Sequence, residues 1–313
     1  MKEYGFGADV GGTTIKMGLF RTDGTLLDKW EIPTDTSNCG EGILQDIADS
    51  VHDKMVGKDL TKDMVEGIGI GIPGAVDHNG VVNKAVNLGW GVVPVKEELE
   101  NLSGMRVRVG NDANVAALGE NWMGSGKGYK SIVMVTLGTG IGGGIIIDGK
   151  ILIGANGAAG EIGHIVVDEQ EAEACNCGHY GCIEQYASAT GIARMARKAM
   201  ADTETESTMR TFGDDISAKN VFDCAKAGDE LAHQVVTKVC NMLGATMADI
   251  GCVINPDAFV IGGGVSKAGD ILLDYLKEPF QKNIFHASRD TRIVLATLGN
   301  DAGIYGAMRM LLN

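Results

Sequence analysis

The sequence predicts an α/β fold with a mixed sheet, built from two related halves. Short apolar strands alternate with stretches of helical spacing, which is the pattern of α/β proteins. Residues 4–20 and 132–147 each read as a strand, a Gly/Thr turn and a second strand, which predicts a hairpin at the start of each half. Each hairpin is followed by a DG turn, at Asp23-Gly24 and Asp148-Gly149. A spacing of about 130 residues between the hairpins indicates that one unit occurs twice.

The remaining elements follow from hydrophobic periodicity and turn residues. The predicted helices are residues 43–55, 113–122, 185–200, 218–227, 231–253 and 303–312, and the further strands are 65–72, 107–109 and 259–261. We place the domain boundary in the Gly- and Ser-containing stretch 121–128, which separates an N-terminal α/β domain, residues 1–122, from a C-terminal α/β domain, residues 123–302. The terminal helix, within residues 303–313, could cross back to the first domain.

Composition and charge argue against several classes of function. The 313 residues are 44% hydrophobic and 22% charged, as in soluble globular proteins. A net charge of −14, without a run of Lys or Arg, argues against nucleic acid as a partner. Early charges exclude a secretory signal, and the longest uncharged stretch, residues 131–147, is too short to span a membrane. We therefore expect a cytoplasmic protein, in which disulfides are uncommon.

Two glycine loops predict phosphate binding. The segment DVGGTTIK contains Asp9, Gly11, Gly12, Thr13, Thr14 and Lys16, and the segment LGTGIGGG contains Gly138, Thr139 and Gly140. Glycine lets backbone N–H groups approach an anion closely, and threonine adds hydroxyl donors. Asp9 could hold Mg²⁺ beside the phosphates. The alternative for either loop taken alone is a hairpin turn, but two such loops favour a phosphate clamp.

Two further motifs allow a functional and a plain structural interpretation. The run Gly262, Gly263 and Gly264 follows a strand, and it could admit an adenine ring or simply form a tight turn. Asp112 follows a strand and begins a helix. A carboxylate at a strand end can act as a general base, whereas Asp at a helix start can also be an N-cap.

Four residues form a complete ligand set for a closed zinc site. His164 precedes the run CNCGHYGCIE, which supplies Cys175, Cys177 and Cys182. One imidazole and three thiolates are a structural Zn²⁺ set, although the C-x-C-x4-C spacing is unusual. A redox pair would read C-x-x-C, which this run lacks. Glu184, two residues after the last cysteine, would then be held in place, or would be a solvated carboxylate at a helix start.

Taken together, these motifs resemble the ROK family of sugar kinases, and within it the bacterial ATP-dependent glucokinases. The resemblance rests on DVGGTTIK, on residues 137–164 with the cysteine run, and on GIPG (71–74), NLGW (87–90), Asn111-Asp112 and GGGVS (262–266) in the family's order. It covers essentially the whole chain. It implies the two-domain, actin-like ATPase (ribonuclease H-like) fold with an interdomain cleft, and a homodimer.

The resemblance also implies roles for individual residues. Asp112 is similar to the catalytic base, which accepts a proton from the sugar hydroxyl that attacks the γ-phosphoryl group of ATP. The residues similar to the sugar-binding set are Gly74, Asn87, Asn111, Asp112, Glu161, His164 and Glu184. ATP and Mg²⁺ would lie on the two glycine loops, with the adenosine beside residues 262–266. Structural Zn²⁺ would fix the orientation of His164.

Other functions remain compatible with parts of the sequence. A ROK sugar-sensing repressor would need an N-terminal DNA-binding domain, for which a first phosphate motif at residue 9 leaves no room. A structural or chaperone ATPase of the actin-like class would have no use for the zinc set. Kinases of the same family that act on N-acetylmannosamine, N-acetylglucosamine, fructose or allose stay open, as does polyphosphate as the phosphoryl donor. Glucose is the preferred substrate.

Overall fold

The computed structural model describes residues 2–313 as an α/β protein. Its strands are β1 (Tyr4–Val10), β2 (Thr14–Arg21), β3 (Leu26–Pro33), β4 (Val65–Ile72), β5 (Val107–Asn111), β6 (Ile132–Leu137), β7 (Ile141–Ile147), β8 (Lys150–Ile151), β9 (Ala258–Gly262) and β10 (Arg292–Leu295). Its α-helices are α1 (Ile43–Gly57), α2 (Val95–Ser103), α3 (Asp112–Met123), α4 (Glu184–Ala187), α5 (Ala189–Asp202), α6 (Ala218–Lys226), α7 (Glu230–Ile254), α8 (Asp270–Asn283) and α9 (Ala302–Met310). Each predicted strand and helix falls on one of these elements, except the predicted helix 185–200, which falls on α4 and α5.

The two sheets within residues 2–313 repeat one design. The first has the order β3-β2-β1-β4-β5, and the second has the order β8-β7-β6-β9-β10. In the first sheet β1 pairs antiparallel with β2 and parallel with β4, and β4 pairs parallel with β5. In the second, β9 pairs parallel with both β6 and β10, and β7 pairs antiparallel with β8. The predictions of a mixed sheet and of two related halves are therefore confirmed.

Alternating glycines let a helix lie directly on the first sheet. One face of β1 and β4 presents Phe6, Ile68 and Ile70 to an apolar core that also contains side chains of α1 and α2. The other face carries Gly7 and Gly69, whose missing side chains would overlap backbone carbonyls of α9. Glycine thus removes the layer of side chains that normally separates a helix from a sheet.

Glycines also allow α9 and α3 to pack closely against each other. A side chain at Gly306 would overlap the carbonyl of Val115, and one at Gly119 would overlap the carbonyl of Ala302. Several of the chain's 46 glycines therefore serve packing rather than ligand binding.

The compact units of the chain differ from the predicted domains. One unit contains the chain up to Ser131, Gly144–Gly160 and Thr297–Asn313, and the other contains Ile132–Gly143 and Glu161–Ala296. The first unit takes the terminal helix α9, as the sequence allowed. It also takes the end of β7 and β8, because Gly144 packs against α3 so closely that a side chain there would contact Ala117. The chain thus returns to the first unit at residues 144–160, and no change in amino-acid composition marks this return in the sequence.

One predicted helix is divided in two. The prediction of a continuous helix over 185–200 is wrong, because α4 ends at Ala187 and Ser188 adopts an extended conformation with ψ 169°. The Ser188 hydroxyl accepts a hydrogen bond from Gly191 N at 3.0 Å and so caps α5. Strands β3, β8 and β10 and helices α2 and α8 are not among the predicted elements. Of these, α2 and β10 have few buried apolar residues. None of the helices within residues 2–313 combines the length and apolar character that crossing a membrane requires.

Candidate active site

The first glycine loop, residues 11–14, is an exposed turn between β1 and β2. It closes on itself through Gly11 N, which donates to Thr14 O at 3.0 Å. From outside the loop, the Thr34 hydroxyl donates to Gly11 O at 2.7 Å, and Thr34 N donates to Thr13 O at 2.9 Å. Two of its carbonyls are therefore occupied by Thr34, at the end of β3. The loop keeps an exposed backbone surface of the kind that binds anions.

Asp9 is a largely buried carboxylate just before this loop. Burial is the main cause that raises its pKa to about 6; the nearby charge of Asp112 adds to the shift, and Lys16 opposes it. Lys16 lies opposite Asp9 on β2, and its ammonium group donates to Asn300 O at 3.1 Å. Gly303, at the start of α9, lies so close to the Asp9 carboxylate that a side chain would overlap it. Ionisation of Asp9 is therefore unfavourable in the folded protein.

Asn111 and Asp112 lie at the same edge of the first sheet. Asn111 is the last residue of β5 and Asp112 follows it. Strands β1, β4 and β5 run parallel, so their three ends meet at one edge. Asn111 caps α3, because its side-chain oxygen accepts from Asn114 N at 3.1 Å. Its amide nitrogen donates to Gly74 O and to Asp112 Oδ1, both at 3.0 Å. The N-cap interpretation of Asp112 is therefore wrong: the cap is Asn111, which also orients Asp112.

Asn87 stands on an ordered loop beside the first glycine loop. Its side chain is exposed, while the neighbouring Leu88 and Trp90 are buried. The Trp90 ring nitrogen donates to Gly40 O at 3.1 Å and anchors this loop. The Asn87 Cβ lies 3.7 Å from the position that a side chain on Gly12 would take. The structure thus brings together two motifs that are 75 residues apart in the sequence.

The second glycine loop, residues 138–141, is held by the segment that contains α4 and the start of α5. Glu184 Oε2 accepts from Ile141 N at 2.8 Å, and a side chain on Gly140 would overlap this carboxylate. Ala189 N donates to Gly138 O at 2.8 Å, and the Thr190 hydroxyl donates to Thr139 O at 2.6 Å. Glu184 is therefore not a solvated carboxylate at a helix start. It is half-buried and bonded to the loop.

The four predicted metal ligands converge. The ligand atoms of His164, Cys175, Cys177 and Cys182 all lie within 4.8 Å of one another. The two sulfurs of Cys177 and Cys182 are 3.6 Å apart, and Cys175 Sγ is 3.8 Å from His164 Nδ1. A tetrahedral ion with metal–sulfur bonds of about 2.3 Å requires sulfur–sulfur distances of about 3.8 Å. Every cysteine within residues 2–313 is a free thiol. The arrangement thus fits a metal site and not a disulfide.

Two tight turns and local burial shape this cluster. Gly178 and Gly181 have φ of 88° and 74°, a conformation that favours glycine. Burial, with the other thiols nearby, raises the pKa of Cys182 to about 12, and burial also raises the pKa of Cys175. The backbone N–H of His179 lowers the pKa of Cys177. A divalent cation is the natural partner for thiols gathered in this way, because its charge favours the thiolate form.

A cavity of about 330 Å³ adjoins the third glycine motif. After β9, Gly263 has φ 83° and packs on the backbone of Leu137, and the Ser266 hydroxyl donates to Gly263 O at 2.7 Å. The cavity is lined mainly by apolar groups, among them Ala189, Ala218, Phe222, Gly264, Val265 and Ala268. Its size and lining suit a flat aromatic base. Wider grooves elsewhere, such as one of about 730 Å³ beside Trp30, contain none of the predicted site residues.

The family model of the ROK family matches residues 5–313. The chain belongs to the ROK family. The glucokinase of Halalkalibacterium halodurans is 46% identical over 306 residues, which cover 96% of this chain and 92% of that protein. The glucokinase of Thermotoga maritima is 37% identical over 310 residues, which cover 97% and 96%. The solved structure of a ROK family glucokinase from Streptomyces griseus, in complex with glucose and AMPPNP, matches with a TM-score of 0.76 at 34% identity and covers 98% of both chains.

These matches confirm three of the predictions. The family is the one that the motifs indicated, the fold is the actin-like ATPase fold of ROK sugar kinases, and the enzyme class is ATP-dependent hexokinase. Among the ROK site residues, the structure brings Asn87 to the first loop, Gly74 and Asn111 to Asp112, and Glu184 to the second loop. Glu161 is exposed and immediately precedes the 3₁₀ turn Ile162–His164.

Sequence reasoning did not find several residues that complete this site. Thr34 and Thr190 bond the loops from outside, and the side chains of Ala218 and Phe222 line the cavity. A single threonine, or two apolar residues of a helix, carries no pattern that separates such a role from ordinary structure. The sequence therefore contained no signal that could have found them.

The pKa of Asp9 leads to a prediction about stability. Because the pKa is about 6 in the folded chain and 3.8 ordinarily, the folded state binds more protons than the unfolded state between these values. Stability therefore falls as pH rises from about 4 to 6, and ionised Asp9 costs the folded protein about 3 kcal/mol above that range. We expect Asp9→Asn to melt higher than wild type at pH 7.5 and to lose that advantage at pH 4, measured by thermal unfolding at both pH values.

Asp77→Asn is the control of opposite sign. A backbone hydrogen bond from Val81 is the largest cause that lowers the pKa of Asp77, so its loss should reduce stability at pH 7.5. A melting difference between Asp9→Asn and wild type that is the same at both pH values would contradict the raised pKa.

Proposed function

We propose that this chain transfers the γ-phosphoryl group of ATP to the 6-hydroxyl of glucose, with Asp112 as the general base. The observation that carries the proposal is the setting of Asp112. Its Oδ1 accepts hydrogen bonds from Ala113 N at 2.8 Å and from the Asn111 amide at 3.0 Å, at the sheet edge that also carries the first glycine loop. The choice of glucose is supported by the relatives, which are named glucokinases.

The proton transfer accounts for the placement of a carboxylate here. As the sugar oxygen attacks the γ-phosphorus, its proton passes to Asp112, the bond from phosphorus to the bridging oxygen breaks, and ADP leaves. The two donors on Oδ1 keep the carboxylate in one orientation. Little covalent chemistry remains for the protein in such a transfer, so positioning and charge supply most of the catalysis.

The donor is proposed to bind through its phosphates and its base. The N–H groups of residues 11–14 and 138–141 bind the phosphates, and Asp9 and Lys16 lie beside the first loop. Mg²⁺, when bound near Asp9, neutralises charge on the β- and γ-phosphates. The apolar cavity beside Gly264 supports a nucleotide as donor, because polyphosphate has no ring to fill it.

The residues proposed to bind the sugar are the ones that the resemblance to ROK kinases implies: Gly74, Asn87, Asn111, Glu161, His164 and Glu184. Both N–H bonds of the Asn111 amide are already used, so it would accept a hydrogen bond from a hydroxyl rather than donate one. His164 directs Nδ1 toward Cys175, which leaves Nε2 for a hydroxyl. Carboxylates and amides suit a sugar because each can satisfy more than one hydroxyl.

The metal is proposed to be a structural Zn²⁺ on His164, Cys175, Cys177 and Cys182. It supplies a rigid tetrahedral centre and no open position. The bound ion would fix the orientation of His164 and thereby of the ring nitrogen that His164 offers to the sugar. A homodimer and a cytoplasmic location remain family expectations.

The substrate is tested with a coupled assay of ADP release across glucose, N-acetylmannosamine, N-acetylglucosamine, fructose and allose. We expect glucose to have the highest kcat/KM, because the relatives at 46% and 37% identity are named glucokinases. A much higher kcat/KM for N-acetylmannosamine would show that the substrate assignment is wrong. The same assay with polyphosphate in place of ATP tests the donor.

Asp112→Asn separates catalysis from helix stability. The amide keeps the size of the side chain but is a far weaker base, so we expect kcat to fall by about 10²- to 10⁴-fold. The matched control is Asp270→Asn, since Asp270 is likewise the first residue of a long helix, α8. Both variants lose a helix-start carboxylate, which costs about 0.3–1 kcal/mol. If Asp112→Asn melts like the control and keeps more than about a tenth of kcat, the base assignment fails.

Cys177→Ser tests the metal. We expect purified wild-type protein to contain about one zinc per chain and the variant to lose it and melt at a lower temperature, since a structural zinc contributes folding energy. Cys252→Ser is the control, because Cys252 is also exposed but lies outside the cluster. Elemental analysis that finds no zinc in active wild-type protein would refute the assignment.

A further inference from the structure

Each glycine loop is bonded by a threonine that lies outside it. In the first unit the Thr34 hydroxyl donates to Gly11 O at 2.7 Å. In the second unit the Thr190 hydroxyl donates to Thr139 O at 2.6 Å. A backbone N–H from the same segment bonds a second loop carbonyl in each case: Thr34 N bonds Thr13 O at 2.9 Å, and Ala189 N bonds Gly138 O at 2.8 Å. Two carbonyls of each loop are thus held from one side.

Holding a carbonyl also sets the direction of the next N–H. In a trans peptide the N–H of one residue points opposite to the C=O of the residue before it. The bond to Gly11 O therefore directs the N–H of Gly12 away from Thr34. The bond to Thr139 O directs the N–H of Gly140 away from Thr190. Glycine peptides turn easily because no side chain restricts them, so this direction needs an external bond.

The surroundings of Thr190 indicate that its hydroxyl is itself oriented. Ser188 is fully buried and its hydroxyl lies 3.1 Å from the Thr190 hydroxyl while it accepts from Gly191 N. Thr190 is exposed, so its hydrogen bond to Thr139 O contributes little to the stability of the fold. The main effect of this bond is therefore on the direction of the loop amide.

We propose that Thr34 and Thr190 are positioning residues that aim loop N–H groups at the donor phosphates. The proposal rests on the proposed function, in which the two loops bind the phosphates of ATP. Each threonine acts through the peptide whose carbonyl it holds.

The test compares valine and serine at both positions. Thr34→Val and Thr190→Val keep the shape of the side chain and lose the hydroxyl, whereas Thr34→Ser and Thr190→Ser keep the hydroxyl. Thr291→Val is the control, because the Thr291 hydroxyl donates to Pro256 O at 3.0 Å in a segment outside the site. Binding of AMPPNP with Mg²⁺ is measured by calorimetry without sugar, and kcat and both KM values are measured with glucose.

We expect each valine variant to weaken AMPPNP binding by about 2- to 10-fold, which is the range for one lost hydrogen bond. KM for ATP should rise, KM for glucose and the melting temperature should stay as in the Thr291→Val control, and serine should restore binding. A purely structural role would instead lower the melting temperature and leave binding to the folded fraction unchanged.

The proposal is overturned if both valine variants bind AMPPNP as tightly as wild type, or if serine fails to restore binding. Failure of the proposed function can be distinguished from failure of this proposal, because it would be observed already in the wild-type protein. Wild type that binds AMPPNP but does not phosphorylate glucose would overturn only the substrate. Wild type that does not bind AMPPNP would overturn the donor and the positioning roles together.

Discussion

The close packing of α9 on glycine is the constraint on which the first unit depends. Gly7 and Gly69 let the helix backbone lie against β1 and β4, and alanine at either position would overlap a carbonyl of α9. The same approach brings Gly303 against the carboxylate of Asp9. Exclusion of water from Asp9 follows, and with it the raised pKa. The close packing of α9 on the glycines of the sheet therefore raises the pKa of Asp9, and the ionised carboxylate lowers the stability of the folded protein.

The two glycine loops are held in the same way. The proposed binding of phosphate needs backbone N–H groups on one face of each loop, and a loop of glycine and threonine cannot hold that face by itself. Thr34 holds the carbonyls of the first loop, and Thr190 with Ala189 holds those of the second. The repeated sheet order supplies equivalent strand ends, while the residues that hold the loops come from different places: Thr34 directly follows β3, and Ala189 and Thr190 begin α5.

The cysteine cluster and the second loop are joined through one side chain. Glu184 Oε2 bonds Ile141 N, and Oε1 faces Cys175 Sγ at 3.6 Å. Its helix, α4, is a single turn that follows directly after the last cysteine, so the position of the carboxylate depends on the fold of the cluster. This explains why a carboxylate closes the cysteine run. Glu184 contacts both the candidate metal cluster and the second glycine loop, and it is also one of the proposed sugar ligands.

The sequence by itself determined the α/β class, the repeated halves, the four residues that converge in the cysteine cluster and the family, because periodicity and residue spacing are local properties. Only the tertiary structure decided that Asn111 and not Asp112 caps α3, that Glu184 bonds the second loop, and that residues 144–160 pack with the first unit. It also revealed that alternate glycines serve helix packing. Each of these depends on contacts between residues far apart in the chain. The geometry of these hydrogen bonds and the close approach of helix backbones to glycine depend on the folded structure. The pattern of residues along the chain does not predict them.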